Sequence, residues 1–232
     1  MKKLSFHLLF LFIFIGVLAG QYFHIRWMSH IFKPAIMVWV GFYFLMFSKH
    51  VEKKVVRLAL AAFVFSWFGD VLLMFGGKGF IYFMLGLFSF LLAQIFYIFL
   101  FIRTVQSSER GFFLKSKPFW LLPYLVYGAG IYILLFNHLD VVMKISVLVY
   151  MTALLSMSAL ALNRFGAVRR VSFVHVFAGS VLFMVSDTLI ALNKFLVPVP
   201  HEGILIMSTY MLAQYFIMTG LLKQYEPGTV AA

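Results

Sequence analysis

Apolar residues run along this chain in long unbroken stretches, with no strand-like alternation and few polar interruptions. Eight such stretches stand out, at about residues 4–22, 31–47, 57–75, 80–103, 118–136, 141–162, 172–195 and 202–222. A membrane-crossing helix needs about 20 mostly apolar residues. Continuous runs of that length favour helices over the alternating strands of a barrel. Short clusters rich in glycine, proline and charge separate them: FGGKG, SSERGFFLKSKP, FNHLD, NRFGAVRR and VPVPHEG. The pattern predicts an all-α integral membrane protein with eight transmembrane helices in one polytopic domain, residues 1–232. The first run follows Lys2 and Lys3 and ends near Ala19, the outline of a signal peptide. It is read as a retained helix, because the internal duplication described below is more complete with it.

Charge orients the helices. Counting loops alternately, Arg26, Lys33, Lys78, Lys144 and Lys194 fall on one side, and the other 14 of the 19 lysines and arginines fall on the opposite side. Basic loops stay in the cytoplasm, so both termini are expected there. Composition agrees, with 64% hydrophobic and 11% charged residues and a mean hydropathy of +1.02. A soluble domain has about 45–50% apolar and about 25% charged residues. The net charge of +12 resides in short loops and is no nucleic-acid signal. The absence of cysteine excludes disulfides, a thiol nucleophile and thiolate-bound metal.

Two aspartates break the apolar pattern: Asp70 in FSWFGDVLLMF and Asp187 in FMVSDTLIALNKF. The helix after Asp70 carries LAQIFY, with Gln94 and Tyr97, and the helix after Asp187 carries LAQYFI, with Gln214. The two Asp-to-Gln separations are 24 and 27 residues. Lys33 and Lys144 match more loosely at the outer starts of helices 2 and 6. The chain therefore reads as two parallel four-helix repeats, about residues 1–105 and 116–225. In that register the aspartates share a depth, about 8–12 Å inside the outer face at 1.5 Å per residue.

A charged side chain at the centre of a membrane helix costs roughly 2.5–3.5 kcal/mol and by default marks function. The structural alternative is an aspartate that ties helices together by hydrogen bonds. Helical spacing puts Ser66 and Trp67 on the Asp70 face. Ser180, Asp187 and Lys194 align on helix 7. Phe83, Gly86, Phe90, Gln94 and Tyr97 form a stripe on helix 4, and Gly203, Met207, Tyr210, Gln214 and Met218 form one on helix 8. Each aspartate is thus expected to meet a glutamine and a tyrosine of the helix that follows it. Gln94 and Gln214 serve equally well as interhelical bridges.

Other catalytic devices are missing. Neither G-x-S-x-G nor H-E-x-x-H occurs. His175 lies twelve residues from Asp187 on the cytoplasmic side and reads as structural. The remaining histidines fall at span ends or in loops, and no metal site or cofactor is expected. Two carboxylates at close range titrate as a pair. They can stabilise an oxocarbenium-like transition state, as in glycosidases, or activate water, as in aspartic proteases. The residues alone leave that choice open.

The stretches FGDVLL, GLFSFLLAQIFY, VSDTLIALNKF and LIMSTYMLAQYF resemble the membrane lysoplasmalogenases, the YhhN-like proteins. The likeness covers nearly the whole chain and is densest over residues 179–220. Lys33-Pro34 at the start of helix 2 also fits, and at Gln94 the family more often has histidine. The resemblance implies a hydrolase that cleaves the vinyl-ether bond of lysoplasmalogens, giving a fatty aldehyde and a glycerophospho-base. It implies Asp70 and Asp187 as the catalytic pair and a lysophospholipid substrate drawn from the bilayer. Ser66, Gln94, Tyr97, Ser186, Asn193, Lys194, Tyr210 and Gln214 are the candidate binding or supporting residues. Lys33, Lys78, Lys144 and Lys194 are candidates for holding the phosphate. Asn193 alternatively caps its helix. The expected location is a bacterial cytoplasmic (inner) membrane. The rival reading is a proton-coupled lipid or small-molecule transporter using the same aspartates. A pH gradient would drive uptake by such a carrier, whereas the enzyme turns over in detergent.

Overall fold

A computed structural model describes residues 2–106 and 112–226. The described residues form long helices joined by short turns, as they must where lipid offers no partner for a backbone amide. We label the long helices α1 (Lys2–Tyr22), α2 (Arg26–Phe47), α3 (Lys53–Met74), α4 (Phe80–Gln106), α5 (Leu122–Phe136), α6 (Val141–Leu162), α7 (Arg170–Phe195) and α8 (Glu202–Gln224). Eight segments are long and apolar enough to cross a membrane, and they coincide with these helices to within a few residues. A 3-10 turn, Pro118–Leu121, leads into α5, and a second, Gly76–Lys78, links α3 to α4.

The tightest pairs are α7 with α8 and α3 with α4, followed by α1 with α2. Small residues set these distances. A Cβ added at Gly179 would lie 2.7 Å from the Ala213 carbonyl oxygen, and one at Gly220 would lie 2.9 Å from the Val176 amide nitrogen. The backbones of α7 and α8 are therefore in near contact at both positions, the arrangement that favours helix association where no hydrophobic force acts between helices. α8 is the most enclosed span and packs on α7, α1 and α2. By contrast, α5 buries only Gly128 and Leu135.

The end of the bundle that carries the basic loops is held by a guanidinium. Arg164 is fully buried, donating from Nε to Thr104 Oγ1 at 3.1 Å and from Nη2 to Ser172 Oγ at 2.9 Å and Gln224 Oε1 at 2.7 Å. It ties α4, α7 and α8 together without a carboxylate in the cluster. Burial pulls its pKa down to about 9. By its place in the sequence this residue counts only among the loop charges.

Candidate functional site

The two aspartates lie toward the C-terminal ends of α3 and α7. Asp70 is four residues from the end of α3 and Asp187 eight from the end of α7, about 6 and 12 Å below those ends at 1.5 Å per residue. Both are buried, at 2% and 7% exposure. Asp70 Oδ2 accepts from the Tyr210 hydroxyl at 2.7 Å. Asp187 Oδ2 accepts from Tyr150 at 2.6 Å and from Gln94 Nε2 at 3.2 Å. Asp70 also lies within electrostatic reach of Lys33 on α2 and of Asp187 itself.

The pairing differs from the expectation that each aspartate meets the helix that follows it. Gln94 on α4 reaches Asp187 on α7, and Tyr210 on α8 reaches Asp70 on α3. The polar residues are thus exchanged between the two halves of the chain. Helical stripes give the face on which a residue sits, but not which neighbour that face meets. Gln214 serves a different purpose. Its Oε1 accepts from Tyr97 at 2.5 Å, and its Nε2 donates to Ser66 at 3.2 Å. Ser66, Tyr97 and Gln214 therefore form a buried bridge between α3, α4 and α8, beside the carboxylates rather than on them.

Aromatic rings from α4, α7 and α8 pack together beside Asp70. Phe90, Phe183 and Tyr210 meet edge to face in all three pairings, with centroids 5.8–6.2 Å apart. Two buried polar atoms on α4 and α3, Gln94 Oε1 and Trp67 Nε1, have no hydrogen-bond partner. An unpartnered buried carbonyl or indole N–H calls for a water or a ligand group.

Asp187 also lines a narrow cavity of about 60 Å³ among α4, α5, α6 and α7, with Tyr150, Tyr127, Thr188 and Phe90 in its wall. That space suits about two waters at their liquid volume. Its outer part is apolar, with Leu87, Ile131, Leu135 and Ile190. At its outer end the Lys194 ammonium sits 4.9 Å from the centroid of the Phe83 ring.

The other anticipated residues bond elsewhere. Ser186 Oγ donates to the Ile206 carbonyl at 3.2 Å and packs α7 on α8. Asn193 Oδ1 accepts from the Val199 amide at 2.9 Å and secures the turn after α7, the capping alternative. Lys144 and Lys78 rest over the rings of Phe136 and Phe75. Tyr150 was not singled out from the sequence. A tyrosine in an apolar helix is ordinary, and only the approach of α6 to α7 gives it an acid. Among the described residues, no three histidine, aspartate or glutamate side chains converge in a way that would hold a metal ion.

The fold and the site together define a polytopic membrane protein with two buried carboxylates in its interior. The sequence matches the YhhN family over residues 28–221, and the chain belongs to that family. Over 212 residues it is 29% identical to "Lysoplasmalogenase TMEM86A" of Homo sapiens, covering 87% of this chain and 81% of that protein. Over 211 residues it is 30% identical to "Lysoplasmalogenase TMEM86A" of Bos taurus, with the same coverage. No solved structure matches it.

Proposed function

We propose that this chain hydrolyses the vinyl-ether bond of lysoplasmalogens, with Asp70 and Asp187 as the acid and base groups. Relatives named as lysoplasmalogenases support the substrate class. The observation that carries the chemistry is a pair of buried carboxylates, each held by a tyrosine hydroxyl, one of them facing an apolar cavity.

A vinyl ether is cleaved by protonation of its β-carbon. Asp187 lines the cavity and gives up its proton there, so that the enol-ether carbons become an oxocarbenium ion. Negative charge from Asp187 and Asp70 stabilises that cation in a dry site, where charge interactions are least screened. Water then adds to the cationic carbon, guided by the open Gln94 carbonyl, and Asp187 takes back a proton. The hemiacetal collapses as its hydroxyl proton passes to the glycerol oxygen and the carbon–oxygen bond breaks. The products are a fatty aldehyde and a glycerophospho-base, and one water is consumed.

The lipid chain requires more room than the cavity offers. The lightly packed α5, which forms one wall, is the element that yields. The phosphate then sits at the outer mouth, within reach of Lys194.

The test is aldehyde release from a vinyl-ether lysophospholipid by the purified protein in detergent, beside Asp70→Asn and Asp187→Asn. These variants keep the shape of the site and remove the acid. Each is expected to lose at least about 100-fold in rate, the scale of general acid–base catalysis, while retaining the parent unfolding temperature. Release that survives either substitution would make that aspartate structural.

A further inference from the structure

The end of the bundle opposite the carboxylates holds a cavity of about 580 Å³, within the range of small-molecule sites. α1, α2, α7 and α8 line it, and it opens to the outside. His175 in its wall is twelve residues from Asp187 on the same helix, about 18 Å away at 1.5 Å per residue. The chamber is therefore separate from the acid pair, and none of the chemistry above uses it.

Its polar lining is dominated by donors held in place. His175 Nδ1 lies 2.8 Å from the Val171 carbonyl, which only accepts, so that nitrogen carries the proton. Its Nε2 is then a lone pair, and Lys223 Nζ donates to it at 3.0 Å. An ammonium has three N–H donors, so two remain for another acceptor. His7 Nε2 lies 3.3 Å from the Tyr43 hydroxyl, and His7 Nδ1 lies 3.1 Å from the Tyr215 hydroxyl. With neutral His7, one ring nitrogen donates and the other accepts. One of the two tyrosines then keeps its hydroxyl proton for a further partner, whichever tautomer is present. Ring contacts hold both phenols. Tyr215 lies on Phe10 with centroids 4.7 Å apart, and Tyr43 lies against Phe47 at 4.6 Å. The Tyr225 hydroxyl, also in the wall, is buried and has no hydrogen-bond partner. Lys49 and His50 add charge and donors at the rim, facing one carboxylate, Glu226.

A site rich in fixed donors, with two lysines and few acceptors, selects an anion that offers several oxygens. We propose that this chamber binds a phosphate ester, gripped by Lys223, Lys49 and the tyrosine hydroxyls. Two sources present that chemistry here: the headgroup of an anionic phospholipid in the adjoining leaflet, or a soluble phosphate ester from the aqueous phase. The inference stands independently of the vinyl-ether reading, since it involves neither aspartate.

The experiment measures the unfolding temperature of the full chain in neutral detergent. One arm titrates phosphatidylglycerol against phosphatidylcholine in mixed micelles. The other titrates glycerol 3-phosphate against sodium chloride at equal ionic strength. A saturable rise with phosphatidylglycerol alone assigns the lipid headgroup, and one with glycerol 3-phosphate alone assigns the soluble ester. A rise with both assigns the shared phosphate chemistry. In each case Lys223→Gln is expected to weaken the apparent affinity at least tenfold, and Lys117→Gln, a basic residue outside the chamber, to leave it unchanged. Tyr225→Phe, which keeps the ring, is the second variant if Lys223→Gln does not fold, and a threefold or greater weakening is expected. No saturable rise in either arm overturns the proposal. So does a rise that the chamber variants and Lys117→Gln affect equally.

Discussion

Replacing Gly179 by alanine tests how the site is positioned. The new methyl would sit 2.7 Å from the Ala213 carbonyl oxygen, 2.8 Å from Ile217 Cγ1 and 2.9 Å from the Ile217 amide nitrogen. Two of those atoms are backbone, so no rotamer change relieves the clash and α8 must move away from α7. Overpacking of this kind costs about 1–3 kcal/mol, and the backbone contacts place it at the upper end. Alanine returns about 1 kcal/mol of helix propensity, leaving a net loss of about 2 kcal/mol. For a chain of this size that corresponds to about 4–8 °C in unfolding temperature. The displaced segment also carries Gln214, next to Ala213, and Tyr210, which holds Asp70. A misplacement of about 1 Å can cost 100-fold in rate, so aldehyde release should fall at least tenfold although neither acid is touched. Gly41→Ala is the control, because nothing lies within 4 Å of the added methyl and only the propensity gain remains. Thermal unfolding in detergent and steady-state turnover read both effects. If Gly179→Ala proves as stable and as active as Gly41→Ala, close backbone approach does not position this site.

Tyr150→Phe removes one of the two hydrogen bonds to Asp187. Such a bond is worth about 0.5–1.5 kcal/mol of stability, so the unfolding temperature should fall by about 1–6 °C, and the rate should fall about tenfold because the hydroxyl positions the acid. Full parent activity would show that the hydroxyl does not assist the acid. Gln214→Leu strands the Tyr97 and Ser66 hydroxyls, and each buried unpaired group costs about 1–3 kcal/mol. A clear drop in unfolding temperature is expected, and a neutral result would deny the bridge its structural role. Arg164→Ala leaves Thr104, Ser172 and Gln224 without their donor and should destabilise by at least about 2 kcal/mol. Arg164→Lys reaches fewer of them and should restore only part of the loss.

Much of this protein is legible in its residues taken in order. The eight spans follow from uninterrupted apolar runs, because lipid demands length and internal backbone pairing and little else. Asp70 and Asp187 stand out for the same reason, since an acid in hydrocarbon is costly enough to need a purpose. Gln94, Tyr210 and Gln214 were legible as polar companions from their helical spacing. Their partners were not. That Gln94 reaches Asp187, that Tyr210 reaches Asp70 and that Gln214 turns to Ser66 depend on which helix faces meet. Periodicity within one helix carries no information about the neighbour. Tyr150 acquires an acid, Arg164 a buried cage and His175 a lysine through contacts between segments remote in the chain. The sequence by itself determined the membrane, the spans and the acids, because each reflects the local cost of taking one segment out of water. Only the tertiary structure decided the pairings and the cavities, because those follow from how closely, and at what rotation, the helices pack.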